Sequence, residues 1–300
     1  MKPQDREREG MTVGRLYVVA TPIGNLQDLS PRAKEVLEQA DLILAEDTRH
    51  TGGLLSHFGI GGPMLSYHKF NEAQRSGEIL RRIVEEGLQV ALVSDAGTPC
   101  ISDPGGILVR EARELGIEVI GVSGPSAAIT ALSVAGLSTE SFAFYGFPPR
   151  ESGKREDFFA GILACPIPTF VLYESPNRIV ATAAELAARF PGARACYCCD
   201  LTKLYEKSIG GSVEETARLL AENPNAGRGE YVIVLEKPAA PPAPQEGEAP
   251  LSPEALLVEQ MVKTGGSLKE AVAALAAEGL RKKELYQAGL RLKALFGAGE

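Results

Sequence analysis

Three short segments combine glycine, proline and small polar residues: Thr21 to Leu26, Ser94 to Gly106, and Ser123-Gly124-Pro125-Ser126-Ala127. The middle one holds Asp95 and Asp103, each close to a glycine and a proline. Glycine lets a backbone come close to a ligand, and a carboxylate accepts hydrogen bonds from it. One such segment alone reads as an ordinary turn, whereas three following buried strands predict a ligand-binding edge. Glycines spaced one and two residues apart after the first strand, the dinucleotide fingerprint, are absent, and so is a Walker A sequence. A standard nicotinamide or ATP enzyme is therefore disfavoured. Cys196, Cys198 and Cys199 invite a metal reading, but strand alternation turns neighbours to opposite faces and the chain has only three histidines. Buried reduced thiols and no required metal are the expectation.

The elements that must position these segments alternate regularly. A strand from Leu16 to Ala20 is followed by a helix that Ser30 caps and Pro31 starts, running to about Ala40, then by a strand from Leu42 to Ala45. A helix near Glu78 to Glu86 stops at Gly87 before a strand from Val90 to Val93. A helix from Gly106 to Leu115 stops at Gly116 before a strand from Val119 to Val122, and another helix starts near Ser126. The pattern predicts a mostly parallel sheet covered on both faces, with ligands outside the carboxyl ends of its strands. After Gly136 a second α/β domain is expected, with strands near Phe142 to Tyr145, Thr169 to Tyr173, Ala195 to Cys199 and Tyr231 to Leu235. Its helices run from Asn177 to Phe190 and, behind a Ser212 and Glu215 capping box, from Val213 to Glu222.

The composition, 44% hydrophobic and 23% charged over 300 residues, is that of a folded globular chain, and its length suits two medium domains with an appendage. No apolar run approaches the roughly 20 residues of a membrane helix, and the first residues lack a secretory signal, so a cytoplasmic location is expected. The expected organisation is a mobile N-terminus over 1–13, a cofactor-binding α/β domain over 14–136, a second α/β domain over 137–236, a Pro/Ala-rich linker over 237–251 and a small helical unit over 252–300. In that unit Ser252-Pro253 starts one helix, Ser267 with Glu270 caps a second, and Gly279 precedes a third carrying Leu285, Leu290, Leu292 and Leu295 as one side of a small core.

The runs Val19 to Asp28, Ala45-Glu46-Asp47-Thr48-Arg49, Ser94 to Pro99, Ser102-Asp103-Pro104-Gly105 and Gly124 to Ala127 closely resemble the tetrapyrrole-methylase-like class of S-adenosylmethionine-dependent methyltransferases. Within that class, Tyr67 to Glu72 and Tyr173-Glu174-Ser175-Pro176-Asn177-Arg178 make the chain similar to the bacterial ribosomal RNA small subunit methyltransferase I family, over about Gly14 to Glu236. That resemblance implies two α/β domains with the cofactor in the cleft between them, usually as a homodimer. It implies methylation of the ribose 2'-hydroxyl of a decoding-site cytidine in 16S ribosomal RNA, within the small subunit. It also implies that Asp95, Gly97, Thr98, Ser123, Pro125, Ser126 and Ala127 border S-adenosylmethionine from the first domain, with Thr21, Pro22 and Ile23 near its mouth and Tyr173 and Leu204 reaching it from the second. The chain departs from the family where a basic residue precedes the acid of an Arg-Glu-Leu-Thr-Lys-like run. Here the run is Cys199-Asp200-Leu201-Thr202-Lys203.

Transfer from a sulfonium needs an oriented nucleophile and a route for its proton, and a cation helps an emerging alkoxide. No triad is recognisable, and the candidates are His68 and Lys69, Glu46, Asp47 and Arg49, and Glu174 with Arg178. Of these, Glu46, Arg49 and Lys69 are expected to line the catalytic mouth. The formal net charge of -8 confines any RNA contact to local patches. Arg281, Lys282, Lys283, Arg291 and Lys293 in the last unit form such a patch, unless they are a solvated helix face. The competing readings are a tetrapyrrole or protein side-chain methyltransferase of the same class, and a non-catalytic cofactor- and RNA-binding assembly factor.

Overall fold

A computed structural model describes residues 14–238, 251–277 and 280–296, without the side chains of 295 and 296. The expected N-terminal segment, nearly all of the expected linker and Gly279 lie outside the described residues. The described residues up to Pro238 form one compact unit and those from 251 onward a second.

The first sheet is all parallel, with strands β1 (Arg15–Val19), β2 (Leu42–Ala45), β3 (Met64–Ser66), β4 (Gln89–Val93) and β5 (Glu118–Val122) in the order β3-β2-β4-β1-β5. Its central strands are continuously apolar because both faces are covered. Leu42 and Leu44 pack into one layer with Leu16, Val90 and Leu92, while Ile43 and Ala45 pack into the opposite layer with Val19, Ala91 and Val93. Helices α1 (Pro31–Gln39), α2 (Thr48–His57), α3 (Glu72–Glu86), α4 (Gly106–Glu114) and α5 (Ala127–Val134) complete this half. Ser30 caps α1 by accepting the Ala33 amide at 3.1 Å, and Gly87 ends α3 in a left-handed conformation, φ 72°.

The second sheet has the order β6-β7-β10-β8-β9, from β6 (Phe142–Gly146), β7 (Thr169–Glu174), β8 (Arg194–Cys199), β9 (Lys207–Ser212) and β10 (Tyr231–Glu236). Only β6 and β7 run parallel, and the other pairs are antiparallel. One face carries Phe170, Leu172, Tyr197 and Ile233 against Phe159 and Ile162 of α6 (Ser152–Ala164) and Leu186 of α7 (Ile179–Arg189). Val213 and Leu220 of α8 (Val213–Glu222) belong to the same core. The other face carries Val171, Cys196, Cys198 and Val232 and is covered by Ala128, Ala131 and Leu132 of α5. The helix that follows the third loop of the first half thus packs on the second sheet.

Four elements have no counterpart in the sequence expectations. Helix α2 contains Gly52 and Gly53, and β9 contains Gly210 and Gly211, which mask both local signals. Strand β3 is three residues long at a sheet edge, and α3 starts at Glu72, ahead of the expected Glu78, through a polar first turn. Helix α6 buries only Phe159 and Ile162, too few for a visible apolar stripe.

The second unit consists of α9 (Pro253–Thr264), α10 (Leu268–Ala277) and α11 (Lys282–Phe296) around Leu257, Ala271, Leu275, Leu285, Ala288 and Leu292. Ser252 caps α9, and Ser267 and Glu270 form a reciprocal capping box ahead of α10. Leu290, expected in this core, is 51% exposed. It stands five residues after Leu285, a rotation of about 140° that carries it off the buried stripe.

Candidate active site

The loops flagged in sequence emerge at the carboxyl ends of β4, β1 and β5, three neighbouring strands of one parallel sheet. They are stitched together. Thr21 and Gly97 exchange backbone hydrogen bonds of 2.9 and 3.0 Å, the Thr21 hydroxyl donates to the Ser94 carbonyl, and the Thr98 hydroxyl donates to the Pro125 carbonyl at 3.1 Å. The Asp95 carboxylate accepts the Asp47 amide at 3.0 Å, which ties the loop after β2 to the same edge.

Above this edge lies a cleft of about 500 Å³. Ile23, Glu46, Asp95, Gly97, Thr98, Ser126, Ala127 and Tyr173 line it, all of them residues singled out from sequence. Thr21 and Pro22 are buried beneath it, with Thr21 spent on the loop contacts. Ser123 is exposed and Pro125 half-buried, neither on the wall, and Leu204 is 88% exposed away from it. Lys69 is exposed, and the Arg49 side chain, 91% exposed, reaches Asp47 at 3.2 Å. Neither lines the cleft.

The sequence marks Asp103 as a carboxylate of the second loop without naming it among the donor or catalytic residues, and gives no sign of the aromatic Phe147; both are on the wall, together with Leu201 and Val232 from the second half. Asp103 is presented by a tightly wound turn in which Cys100 and Ser102 have φ of 70° and 68°, a left-handed conformation held for non-glycine residues. Gly105 closes that turn at φ 123°, where a Cβ would stand 2.5 Å from Leu92 Cδ2, and its amide donates to Glu72 Oε2 at 3.1 Å. The Pro104-Gly105 pair next to the aspartate was the available signal for it. The second-half residues carry no such local mark.

The wall is acidic inside a largely apolar space. Burial, reinforced by Asp95, raises the Glu46 carboxyl above its ordinary range, with His68 opposing. Burial, with Glu46 and Asp95 alongside, pushes Asp103 up to about 6. Three carboxylates this close favour a cationic ligand and make at least one of them a proton acceptor near neutral pH. Glu174, also on the wall, is different: its fully buried carboxylate is 2.6 Å from Arg178 and accepts the Thr182 hydroxyl and the Ser175 amide, each at 2.7 Å. It is neutralised by structure, so it is a scaffold acid.

The Cys199-Asp200-Leu201-Thr202-Lys203 run forms a tight turn against the first loop. Asp200 and Thr202 are left-handed, φ 53° and 67°, and Lys203 bridges Asp200 at 3.3 Å and Glu230 at 2.8 Å. The Thr202 hydroxyl accepts the Asn25 amide at 3.1 Å, so this turn holds the first loop. A Cβ on Gly24 would lie 2.5 Å from Lys203 Cγ, which explains the glycine there.

Among the described residues no group of three metal-ligating side chains converges, and no helix is long and apolar enough to cross a membrane. Cys196 and Cys198 share one face with sulfurs 3.8 Å apart, while Cys199 packs on the other. In the helical unit, Lys282, Lys283 and Lys293 are exposed and Arg281 pairs with Glu284 at 3.4 Å. Arg291 is committed to Glu254 of α9 at 2.6 Å.

Comparison with known proteins adds a family match, two named relatives and two likenesses of fold. The model of the Tetrapyrrole (Corrin/Porphyrin) Methylases matches residues 15–217. The chain is 43% identical over 281 residues to a protein of Haemophilus influenzae named ribosomal RNA small subunit methyltransferase I, covering 92% of this chain and 96% of that one. A protein of the same name from Neisseria meningitidis is 42% identical over 294 residues, 97% of this chain and 98% of its own length. Among solved structures, the uroporphyrin-III C-methyl transferase of Thermus thermophilus complexed with S-adenyl homocysteine aligns at TM-score 0.51 and 22% identity, covering 74% of this chain and 97% of its own. A diphthine synthase aligns at TM-score 0.56 and 14% identity, covering 74% and 89%. These two likenesses concern the fold.

Proposed function

This chain belongs to the tetrapyrrole (corrin/porphyrin) methylases and, among them, to the ribosomal RNA small subunit methyltransferase I family, and on that premise we propose that it transfers a methyl group from S-adenosylmethionine to the ribose 2'-hydroxyl of a decoding-region cytidine in 16S ribosomal RNA. The observation that carries the site assignment is the convergence of Glu46, Asp95 and Asp103 in one cleft at the carboxyl edge of the parallel sheet. The name shared by the relatives supports RNA over the uroporphyrin and diphthine of the fold neighbours' titles.

The residues fit that donor. Its sulfonium and ammonium are cations, and the cleft offers uncompensated carboxylates; its adenosine needs apolar contact, and Ile23, Ala127 and Tyr173 supply it. When bound, the donor supplies an electrophilic methyl group on sulfur. Asp95, Gly97, Thr98, Ser126 and Ala127 would hold it on the first-sheet side, and Asp103 or Glu46 would take the ribose hydroxyl proton as the oxygen–carbon bond forms and the carbon–sulfur bond breaks, leaving S-adenosylhomocysteine. Arg49 and Lys69, exposed and off the cleft wall, would meet flanking phosphates, and Lys282, Lys283 and Lys293 would do the same on the helical unit. The chain works as a homodimer in the cytoplasm in this reading.

The test is incubation with methyl-labelled donor and, separately, assembled small ribosomal subunits, protein-free 16S RNA and a tetrapyrrole. Label is expected in RNA, in a nucleotide that resists alkaline cleavage because its 2'-oxygen is blocked. Label in the tetrapyrrole alone, or nowhere, overturns the proposal.

A further inference from the structure

Phe147 is 54% exposed yet stands on the wall of the cleft, its ring edge-on to Tyr173 at 5.5 Å. An aromatic ring left this open at a cleft mouth loses hydrophobic stabilisation unless something covers it. Its placement is not casual. Strand β6 carries a bulge between Phe144 and Gly146, and Gly146 is left-handed at φ 65°, which turns the chain out of the sheet just before Phe147. Pro148 and Pro149 then stiffen the following segment, and two arginines hold their carbonyls: Arg178 Nη1 donates to Pro148 at 3.0 Å and Arg155 Nη1 to Pro149 at 3.1 Å.

Both arginines are themselves fixed. Arg178 pairs with buried Glu174, whose second oxygen accepts the Thr182 hydroxyl, and that hydroxyl oxygen accepts Arg155 Nη2 at 2.9 Å. Arg155 Nε donates to Glu185 at 2.6 Å. The network closes on itself around the two carbonyls. The Tyr173 to Arg178 run, which has no place in the proton chemistry, thereby acquires one.

We propose that Phe147 is the platform on which the base of the target nucleotide stacks, with Arg178 and Arg155 as positioning residues that hold the platform in place. A nucleobase fits because stacking on an aromatic ring needs only a π-face, and a ring at the mouth is reachable from outside by a macromolecule. The donor-holding loops lie on the first-sheet wall, while Phe147 belongs to the second. The inference rests on the RNA reading of the site, and wild-type methylation of small subunits is the control that separates failure of that reading from failure of this one.

Two measurements decide it. With assembled small subunits as substrate, Phe147→Ala is expected to raise KM about tenfold while leaving kcat and the S-adenosylmethionine Kd unchanged. An unchanged KM in a variant of an active wild type overturns the platform. The chain contains no tryptophan, so Phe147→Trp creates a single emitter at the site. With S-adenosylhomocysteine already saturating, so that any effect passed through Tyr173 beside the ring is constant, adding a short cytidine-containing RNA is expected to quench this emission further, and no further change overturns the proposal. For the positioning role, Arg155→Lys is expected to raise KM in the wild-type background and to add nothing once Phe147 is alanine. Equal increments in both backgrounds sink that part.

Discussion

The two walls of the cleft treat buried charge in opposite ways. On the first-sheet wall Glu46, Asp95 and Asp103 crowd together; burial and Asp95 drive the Glu46 carboxyl upward, and burial with Glu46 and Asp95 drives that of Asp103 upward. On the second-sheet wall the buried carboxylate of Glu174 is matched by Arg178 and by hydrogen bonds to both oxygens. One wall holds its acids with hydrogen bonds but brings no arginine to them, which suits a cationic ligand. The other spends its charges on rigidity and shape. Removing an acid or its partner should therefore have opposite effects on stability according to the wall.

The largest effect is expected on the rigid wall. Arg178→Met leaves Glu174 buried and unpaired, and should cost about 3–4 kcal/mol in chemical denaturation. Adding Glu174→Gln should recover most of that loss. A single variant as stable as the wild type would break the contrast between the walls.

Next comes Asp103→Asn on the acidic wall, where methyl transfer should fall about a hundredfold or more at neutral pH, while stability to urea rises by about 1 kcal/mol. The sign follows from the raised pKa. The ionised carboxylate costs stability above the folded value of about 6, and the cost fades as pH falls through that value toward the unfolded one. The gain in the Asn variant should accordingly shrink between pH 7 and pH 5, and an Asn variant less stable than wild type at neutral pH would contradict the assignment. A smaller effect concerns the donor: calorimetric S-adenosylmethionine affinity should weaken as pH falls through about 6, as Asp103 is protonated, and lose that dependence in Asp103→Asn.

The smallest effect sharpens the comparison from outside both walls. Lys282 and Lys293 lie eleven residues apart on α11, on one exposed stripe. Replacing both by alanine should weaken RNA binding and reduce the salt slope by about one per lysine, without touching donor affinity. An unchanged slope removes the helical unit from the RNA contact.

Much of the acidic wall was legible because its marks are local. A parallel sheet sends its functional loops to the carboxyl edge, and the glycines, prolines and aspartates from Thr21 to Ala127 sit next to the strands that carry them. Caps at Ser30, Ser212, Ser252 and Ser267 were legible for the same reason, since a cap is decided within four residues. The rigid wall was not legible in this way. Phe147 looks like any core aromatic until a bulge turns it outward, and Arg155, Arg178 and Glu174 become one network only when α6, α7 and β7 pack.

By itself the sequence determined the alternation of strands and helices, the edge at which the marked loops gather and the family to which the chain belongs, because periodicity, caps and loop motifs act over a few residues. Only tertiary structure decided which acids are compensated. Glu46 and Glu174 are the same residue type beside strand ends, and what separates them is the packing that brings an arginine to one and two more carboxylates to the other.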